Sequence, residues 1–143
     1  MEPASEHPLA PETVHYRDRA GQFFQAMQLL GTDPRNYGNS AAVLGVHCAI
    51  SLADAVLVHR TGSRSRAERH LSAADMLVRL CQAAQIDPSG IAHLRKVLDR
   101  KNYLEYGDQR LDLDRDIRGV IIRVERFVAW ALRCFPELGG GGI

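Results

Sequence analysis

The chain has 143 residues, of which 45% are hydrophobic and 24% are charged, and its formal net charge is +1. These proportions are ordinary for a globular domain, and they exclude a chain whose overall charge attracts it to nucleic acid or to a membrane surface. Cys48, Cys81 and Cys134 lie far apart without a CxxC pair, which is typical of a reducing compartment and not of a disulfide framework. Any argument about binding must therefore rest on local charge.

The N-terminal sequence and the most apolar run both bear on localisation. Residues 1–10 are acidic and contain prolines, without the apolar core of a signal peptide. The most apolar run, residues 41–58, is interrupted by His47, Ser51 and Asp54, which argues against a membrane span. We therefore expect a cytoplasmic protein without a membrane partner.

Hydrophobic periodicity predicts one helical domain over residues 11–136, between a flexible N-terminal segment at 1–10 and a flexible glycine-rich tail at 137–143. No segment alternates apolar and polar residues over the length of a strand. The predicted helices cover residues 11–30, 40–59, 65–85, 88–106 and 112–135. Because short connectors place successive helices side by side, the predicted fold class is all-α, an antiparallel four- to five-helix bundle.

Turn formers and capping residues set the predicted helix ends. Residues 31–38 are rich in turn formers and predict a connector, so the second helix has Asn39 or Ser40 as its N-cap. The capping-box pattern Ser-Arg-Ala-Glu at residues 65–68 begins the third helix. Asp87 is the predicted N-cap of the fourth helix, and the proline that follows it is the predicted first helical residue.

The fifth predicted helix carries two rows of apolar residues. The first has the spacing of a bundle seam and consists of Ile117, Ile121, Val124, Val128, Ala131 and Phe135. A second row, Val120, Phe127 and Cys134, lies beside it. Because one seam covers only one row, we predict a homodimer whose contact involves Val120, Phe127 or Trp130. The predicted core is formed by Phe23, Phe24, Leu44, Cys48, Leu52, Leu94, Leu98, Ile121, Val124 and Val128.

Three polar residues share one face of the second predicted helix. His47, Ser51 and Asp54 are spaced by one helical turn each on an otherwise apolar helix. They are the residue types of a nucleophile, a base and an orienter, but side chains stacked along one helix leave no place for an oxyanion hole. A hydrogen-bonded polar stripe or the wall of a cleft is the better interpretation, because buried polar groups need partners.

The turn at residues 59–70 is strongly basic. Its basic and imidazole side chains are His59, Arg60, Arg64, Arg66, Arg69 and His70. Such a turn can bind phosphates, with help from the N-terminus of the third helix, or it can be a solvated loop. We expect no metal site, because no carboxylate or thiol stands at ligand spacing beside the two histidines.

The fourth predicted helix has a basic band and an aromatic end. The side chains concerned are Arg95, Lys96, Arg100, Lys101, Tyr103 and Tyr106. Basic groups beside aromatic rings suit nucleotides, which present phosphates and flat bases. The alternative is an amphipathic helix whose long side chains cover its own apolar surface.

Three segments, in this order, resemble the HEPN family (higher-eukaryote and prokaryote nucleotide-binding domains). They are a small-residue-rich second helix with GVHCAISLADAVL, a basic loop leading into a third helix, and the segment LDRKNYLEYGD at residues 98–108. The last segment resembles the Arg-Asn and Asp-Tyr-Gly end of the family's penultimate helix. The resemblance spans residues 10–136. It implies a helical bundle, commonly dimeric, of the kind found in toxin–antitoxin and defence systems and beside nucleotidyltransferases.

The chain departs from the family at the ribonuclease motif. Ribonuclease members carry an arginine, then four to six residues, then a histidine. Arg100 matches the arginine, but Glu105, Tyr106 and Gly107 stand at the histidine positions. A metal-free ribonuclease needs a group that exchanges protons near neutral pH, and tyrosine, with an ordinary pKa of about 10, is a poor substitute.

We therefore expect a non-catalytic HEPN-like protein that binds a nucleotide, RNA or a protein partner such as a nucleotidyltransferase-like antitoxin, without a cofactor or metal. One alternative is a metal-independent ribonuclease that uses Arg100 with Glu105 or Tyr106, or His70 brought in from elsewhere. Another is a dimer that acts only by association. The candidate binding residues, which we predict to border one positively charged groove, are Arg100, Lys101, Asn102, Tyr106, Arg64, Arg66, Arg69, His47 and Asp54.

Overall fold

The computed structural model describes residues 9–63, 72–107, 110–140 and 142–143, except for the side chain of Tyr106. Its α-helices are α1 (Pro11–Gly31), α2 (Pro34–Thr61), α3 (Ala73–Ala84), α4 (Ile91–Tyr106) and α5 (Gly119–Cys134). A π-helical turn, Leu113–Arg118, leads into α5, and a 3-10 turn, Pro136–Leu138, follows it. No strand occurs within these described ranges, and the predicted all-α helical bundle is confirmed.

Helix α2 is the central helix of the bundle, as its apolar sequence predicts. Its 28 residues pack against the four other helices and the π-helical turn. Small residues allow this close packing, since a Cβ at Gly45 would lie 2.8 Å from Met27 Sδ of α1 and 3.1 Å from Val124 Cγ2 of α5. By length and composition α2 is also apolar enough to cross a membrane, and the bundle buries 72% of its apolar window.

The connector between α1 and α2 is much shorter than predicted. Only Thr32 and Asp33 separate the two helices, because α2 begins at Pro34. Proline is favoured at the first helical position, where no N–H is needed for the helix ladder. The prediction of an N-cap at Asn39 or Ser40 is therefore wrong, and both residues lie inside α2. The short connector makes α1 and α2 an antiparallel hairpin with extensive mutual packing.

Helix α3 begins later than predicted. Its first residue is Ala73, and Ser72 caps it, because Ser72 Oγ accepts a hydrogen bond from Asp75 N at 3.2 Å. The expected capping box at residues 65–68 lies outside the described residues. A serine N-cap stabilises a helix by ~1 kcal/mol, so the segment Ser-Ala-Ala-Asp at residues 72–75 is itself a sufficient start signal.

Helix α4 also begins later than predicted, at Ile91, although its end agrees with the prediction. Asp87 accepts hydrogen bonds from the N–H and the hydroxyl of Ser89, at 3.0 and 2.8 Å, so it closes a turn and does not cap the helix. Gly90 follows this turn, and a Cβ there would lie only 2.0 Å from Trp130 Cγ of α5. The turn therefore fits directly against α5 before α4 starts.

The start of the last long helix agrees with the prediction, although its first turn is π-helical. Asp112 caps it, because Asp112 Oδ1 accepts a hydrogen bond from Arg115 N at 2.7 Å. The predicted apolar seam is buried throughout except at Ile121, which is half-buried. The seam thus packs into the bundle, as its spacing indicates.

The second apolar row of α5 faces into the same bundle. Val120, Phe127 and Trp130 are 3%, 0% and 2% exposed within a single chain. The Phe127 and Trp130 rings pack against each other with centroids 5.8 Å apart. The prediction that these three residues form a contact between two chains is therefore wrong, because their own chain covers them. The homodimer itself stays a prediction.

The predicted core residues all contribute to the core, but to different extents. Five of them are no more than 5% exposed: Cys48, Leu52, Leu94, Val124 and Val128. The others are half-buried and pack against that core: Phe23, Phe24, Leu44, Leu98 and Ile121. The largest enclosed side chains lie at the end of α5 and just after it, where Trp130 packs edge-on against Phe135 with centroids 5.9 Å apart.

Candidate functional site

An ion pair joins the end of α4 to the π-helical turn. Arg100 of α4 donates a hydrogen bond from Nη2 to Asp116 Oδ1 at 2.6 Å. The Arg100 guanidinium also lies over the Tyr103 ring, 5.1 Å from its centroid. Asp116 is fully buried, whereas the Arg100 side chain is 31% exposed. Arg100 therefore pairs with an interior acid that the sequence analysis did not identify.

The Asp116 carboxylate orders the π-helical turn. Its Oδ2 accepts a hydrogen bond from Asp112 N at 2.7 Å, and Arg115 approaches Oδ1 with Nε at 3.3 Å and Oδ2 with Nη2 at 3.5 Å. Burial raises the pKa of Asp116, but the hydrogen bonds from Asp112 and Arg115 and the charges of Arg100 and Arg115 outweigh burial. The pKa of Asp116 is therefore below its ordinary value, and the residue is a carboxylate at neutral pH.

A polar cleft of about 810 Å³ opens between the start of α2 and the π-helical turn. Its lining residues are Pro34, Arg35, Asn36, Gly38, Asn39, Arg110, Leu111, Asp112, Leu113, Arg115 and Ile117. We call this the arginine cleft, because three of these described residues are arginines. The acid among them, Asp112, already accepts a hydrogen bond from Arg115 N. The balance of charge favours an anionic ligand.

The N-terminus of α2 forms one wall of the arginine cleft. Asp33 stands at the N-cap position without a side-chain hydrogen bond to the helix backbone, and its Oδ2 instead accepts a hydrogen bond from Asn36 Nδ2 at 2.9 Å. The first N–H groups of a long helix carry partial positive charge. Arg35 lines the cleft from this wall, and Arg110 and Arg115 line it from the segment that precedes α5.

A second polar cluster joins α2 to the end of α4. His47 Nε2 lies 3.3 Å from Glu105 Oε1, although the two atoms do not form a hydrogen bond. Lys101 Nζ lies 3.4 Å from the other oxygen, Glu105 Oε2. The Phe23 ring packs beside the imidazole with centroids 5.5 Å apart. The His47 side chain is 40% exposed and that of Glu105 13%, so the imidazole is open to solvent beside a shielded carboxylate.

The predicted site residues of α2 and α4 lie in different environments. Arg100 pairs with Asp116, whereas Lys101 pairs with an acid of its own helix. Asn102 is exposed, and Tyr106 is the last residue of α4. Asp54 is 6% exposed and lies inside the bundle, so it does not border a surface groove as predicted.

The basic loop after α2 lies largely outside the described residues, and so do Arg64, Arg66 and Arg69. A single groove that includes them stays a prediction. The end of α2 that precedes the loop is fixed to the 3-10 turn, because His59 Nε2 and Arg60 Nη2 lie 3.2 and 2.8 Å from Glu137 Oε2. The loop therefore begins on the same surface as the residues that follow α5.

Four residues of this site were not predicted from the sequence: Arg35, Arg110, Arg115 and Asp116. Arg35 stood in a segment predicted as a connector, and the others preceded the predicted apolar seam. The available signal was the run Arg-Leu-Asp-Leu-Asp-Arg-Asp at residues 110–116, in which three acids precede one helix. That run indicated a capped helix start, but it could not indicate that the distant start of α2 faces it.

No protein-family model matches the chain, and no curated protein matches it. The resemblance to the HEPN family therefore rests on the three segments quoted above. Two of them are α2 and the end of α4, which pack together in the bundle. The basic loop, the remaining segment, lies largely outside the described residues.

Proposed function

We propose that this protein binds a phosphate-bearing ligand, a nucleotide or RNA, in the arginine cleft. The observation that carries the proposal is that Arg35, Arg110 and Arg115 line one polar cleft together with the start of α2. Guanidinium groups form paired, charge-assisted hydrogen bonds with phosphate oxygens. A phosphate that enters the cleft meets donors on both walls.

The composition of the cleft indicates which part of the ligand it contacts. None of its described lining residues is aromatic, and Asn36 and Asn39 are the neutral polar groups beside the arginines. Proteins that recognise bases commonly stack them on aromatic rings. We therefore expect contacts to phosphates and sugars with weak discrimination between bases.

The resemblance to the HEPN family supports the proposal from the sequence. It implies binding to RNA or to nucleotides, pairing into a homodimer, and a nucleotidyltransferase-like partner of a toxin–antitoxin or defence system. Arg100, which stands at the motif arginine of the family, is linked to the cleft through Asp116 and Arg115. Hydrogen bonds through Asp116 thus connect Arg100 of α4 to the arginine cleft.

Binding of a fluorescein-labelled oligouridylate, measured by anisotropy, and of ATP, measured by calorimetry, tests the proposal. Replacing both Arg35 and Arg110 by alanine should weaken binding at least about tenfold, because a hydrogen bond to a charged group contributes ~1.5–3 kcal/mol. For RNA, the logarithm of the binding constant should fall with the logarithm of salt concentration by about 0.7 per phosphate contacted. The double variant should show a shallower slope.

Arg95→Ala is the matched control. Arg95 pairs with Asp75 at 2.8 Å on the surface of α3 and α4 and does not line the cleft. This variant should bind both probes like the unaltered protein, and circular dichroism should show that all variants remain folded. An equal loss in the control, or no binding of either probe by the unaltered protein, would reject the proposal.

The contact between His47 and Glu105 supports a second candidate function, a metal-independent ribonuclease with an atypical site. An imidazole beside a carboxylate supplies the proton-exchanging group that the motif segment lacks. Purified protein would then cleave structured RNA in the presence of a metal chelator, and His47→Ala and Glu105→Gln would each abolish cleavage. Cleavage that persists in both variants would exclude this pair.

A further inference from the structure

The geometry points to Arg100 as a positioning residue for the arginine cleft, which acts through Asp116 without touching the ligand. By holding the Asp116 carboxylate, Arg100 leaves the Arg115 guanidinium available to an anion in the cleft. This inference rests on the proposed function, because it concerns the same site. Arg100 thus influences the charge of a cleft that none of the described side chains of α4 lines.

Each oxygen of the Asp116 carboxylate has a hydrogen-bond donor other than Arg115. Its Oδ1 accepts a hydrogen bond from Arg100 Nη2 at 2.6 Å, and its Oδ2 accepts one from Asp112 N at 2.7 Å. Asp116 is fully buried, so it needs hydrogen-bond donors to remain charged in the interior. These two short bonds supply one donor for each oxygen.

Arg115 is the loosely held member of the cluster. Its Nε and Nη2 approach Asp116 at 3.3 and 3.5 Å, at the long end of hydrogen-bond distances. Its side chain is 68% exposed and lines the arginine cleft. Arg115 can therefore turn to a ligand phosphate, because Arg100 and Asp112 keep one donor on each carboxylate oxygen.

Removal of Arg100 changes this balance. The buried carboxylate would lose its shortest bond and a full positive charge, and Arg115 is the other arginine within hydrogen-bond distance of it in the described structure. Asp116 would then draw Arg115 toward the interior. The cleft would lose much of one positive charge, although a residue outside its lining was changed.

A double-mutant cycle with the labelled oligouridylate tests this inference. Arg100→Ala and Arg115→Ala should each weaken binding about tenfold, the effect of one charge-assisted contact, and the double variant should bind no more weakly than Arg115→Ala alone. Arg118→Ala is the control, since Arg118 pairs with Asp114 at 2.7 Å in the same segment and should bind normally. Losses that multiply in the double variant would overturn the inference.

A second variant separates positioning from a structural role. Asp116→Asn combined with Arg100→Ala removes the carboxylate that would capture Arg115, while the amide oxygen can still accept the hydrogen bond from Asp112. This pair should restore binding to within about twofold of the unaltered protein, because coupled residues compensate each other. Binding as weak as that of Arg115→Ala would overturn the inference. If Arg35 and Arg110 matter and Arg100 does not, the proposed function stands and this inference fails.

Discussion

Gly90 lies beneath the indole of Trp130, where even a methyl group has no room. A Cβ there would stand 2.0 Å from Trp130 Cγ. The indole is held in place, because it is 2% exposed and its Nε1 donates a hydrogen bond to Asp87 O at 2.9 Å. We expect Gly90→Ala to lower the free energy of unfolding by about 1–3 kcal/mol, the usual range for overpacking, in urea denaturation.

Gly31→Ala is the matched control for Gly90→Ala. A Cβ at Gly31 would lie 3.4 Å from Ile121 Cδ1, which is an ordinary contact. Alanine favours a helix over glycine by ~1 kcal/mol, so this variant should be as stable as the unaltered protein or more stable. Equal destabilisation by both substitutions would show that packing against Trp130 is not the cause.

Asp116 gives the protein a specific sensitivity to acid. Burial raises its pKa, but hydrogen bonds from Asp112 and Arg115 and the charge of Arg100 outweigh burial and lower it. The stability that this carboxylate contributes is therefore present above the ordinary carboxyl pKa of about 3.9 and is lost as pH falls through the lower folded value. Asp116→Asn should cost about 1–3 kcal/mol at pH 7, and the cost should decrease as pH falls below the ordinary carboxyl pKa.

Urea denaturation across this pH range, with Asp75→Asn as control, checks the prediction. The hydrogen bond from Arg95 also lowers the pKa of Asp75, although burial opposes it, but this pair is on the surface. Exposed ion pairs contribute little, so the control should follow the unaltered protein at every pH. A constant difference between Asp116→Asn and the unaltered protein from pH 7 to pH 2 would contradict the assigned role.

At the scale of helices, the apolar periodicity predicted that each of the five helices exists. Where a helix begins was decided by single residues. Pro34 begins α2 early because proline suits the first turn, and Asp87 bonds Ser89 instead of capping α4. The sequence around Pro34 and the sequence around Asp87 were each compatible with both the expected and the observed helix start. Whether a side chain caps a helix or closes a turn depends on what packs beside it, here Trp130.

The second apolar row of α5 yields a prediction about this helix as a whole. Phe127 is fully enclosed, so Phe127→Asp should remove more than ~3 kcal/mol and unfold a single chain, rather than dissociate a dimer. Ile122 on the same helix is 44% exposed, and Ile122→Asp should leave stability unchanged. Circular dichroism and sedimentation check both. A folded, monomeric Phe127→Asp protein would contradict the assignment of Phe127 to the core.

At the scale of the molecule, one residue can report on the entire fold. Trp130 is the single tryptophan, and it contacts the turn before α4 as well as Phe135 after α5. We expect its fluorescence and the helical circular dichroism to follow one coincident unfolding transition in urea, because α2 connects all parts of one core. Two separate midpoints would show that the α4–α5 end unfolds independently.

The fold was predictable from sequence and the cleft was not, for a physical reason. Periodicity reports which face of one helix is apolar, and that suffices for an all-α bundle. The arginine cleft depends on which polar ends of two separate segments meet, and Arg35 and Arg110 are polar residues in segments without periodicity. The pairing of Arg100 with Asp116 is likewise invisible in a pattern confined to α4.

The arginine cleft is assembled from residues 34–39 and 110–117, which come together only in the folded bundle. An unfolded chain has no equivalent of it, so any molecule that occupies the cleft shifts the folding equilibrium toward the native state. A ligand at a hundredfold excess over its Kd would add ~2.7 kcal/mol to the free energy of unfolding. Proteases act on unfolded chains, so the amount of this protein in a cell would rise with the supply of any molecule that occupies the cleft.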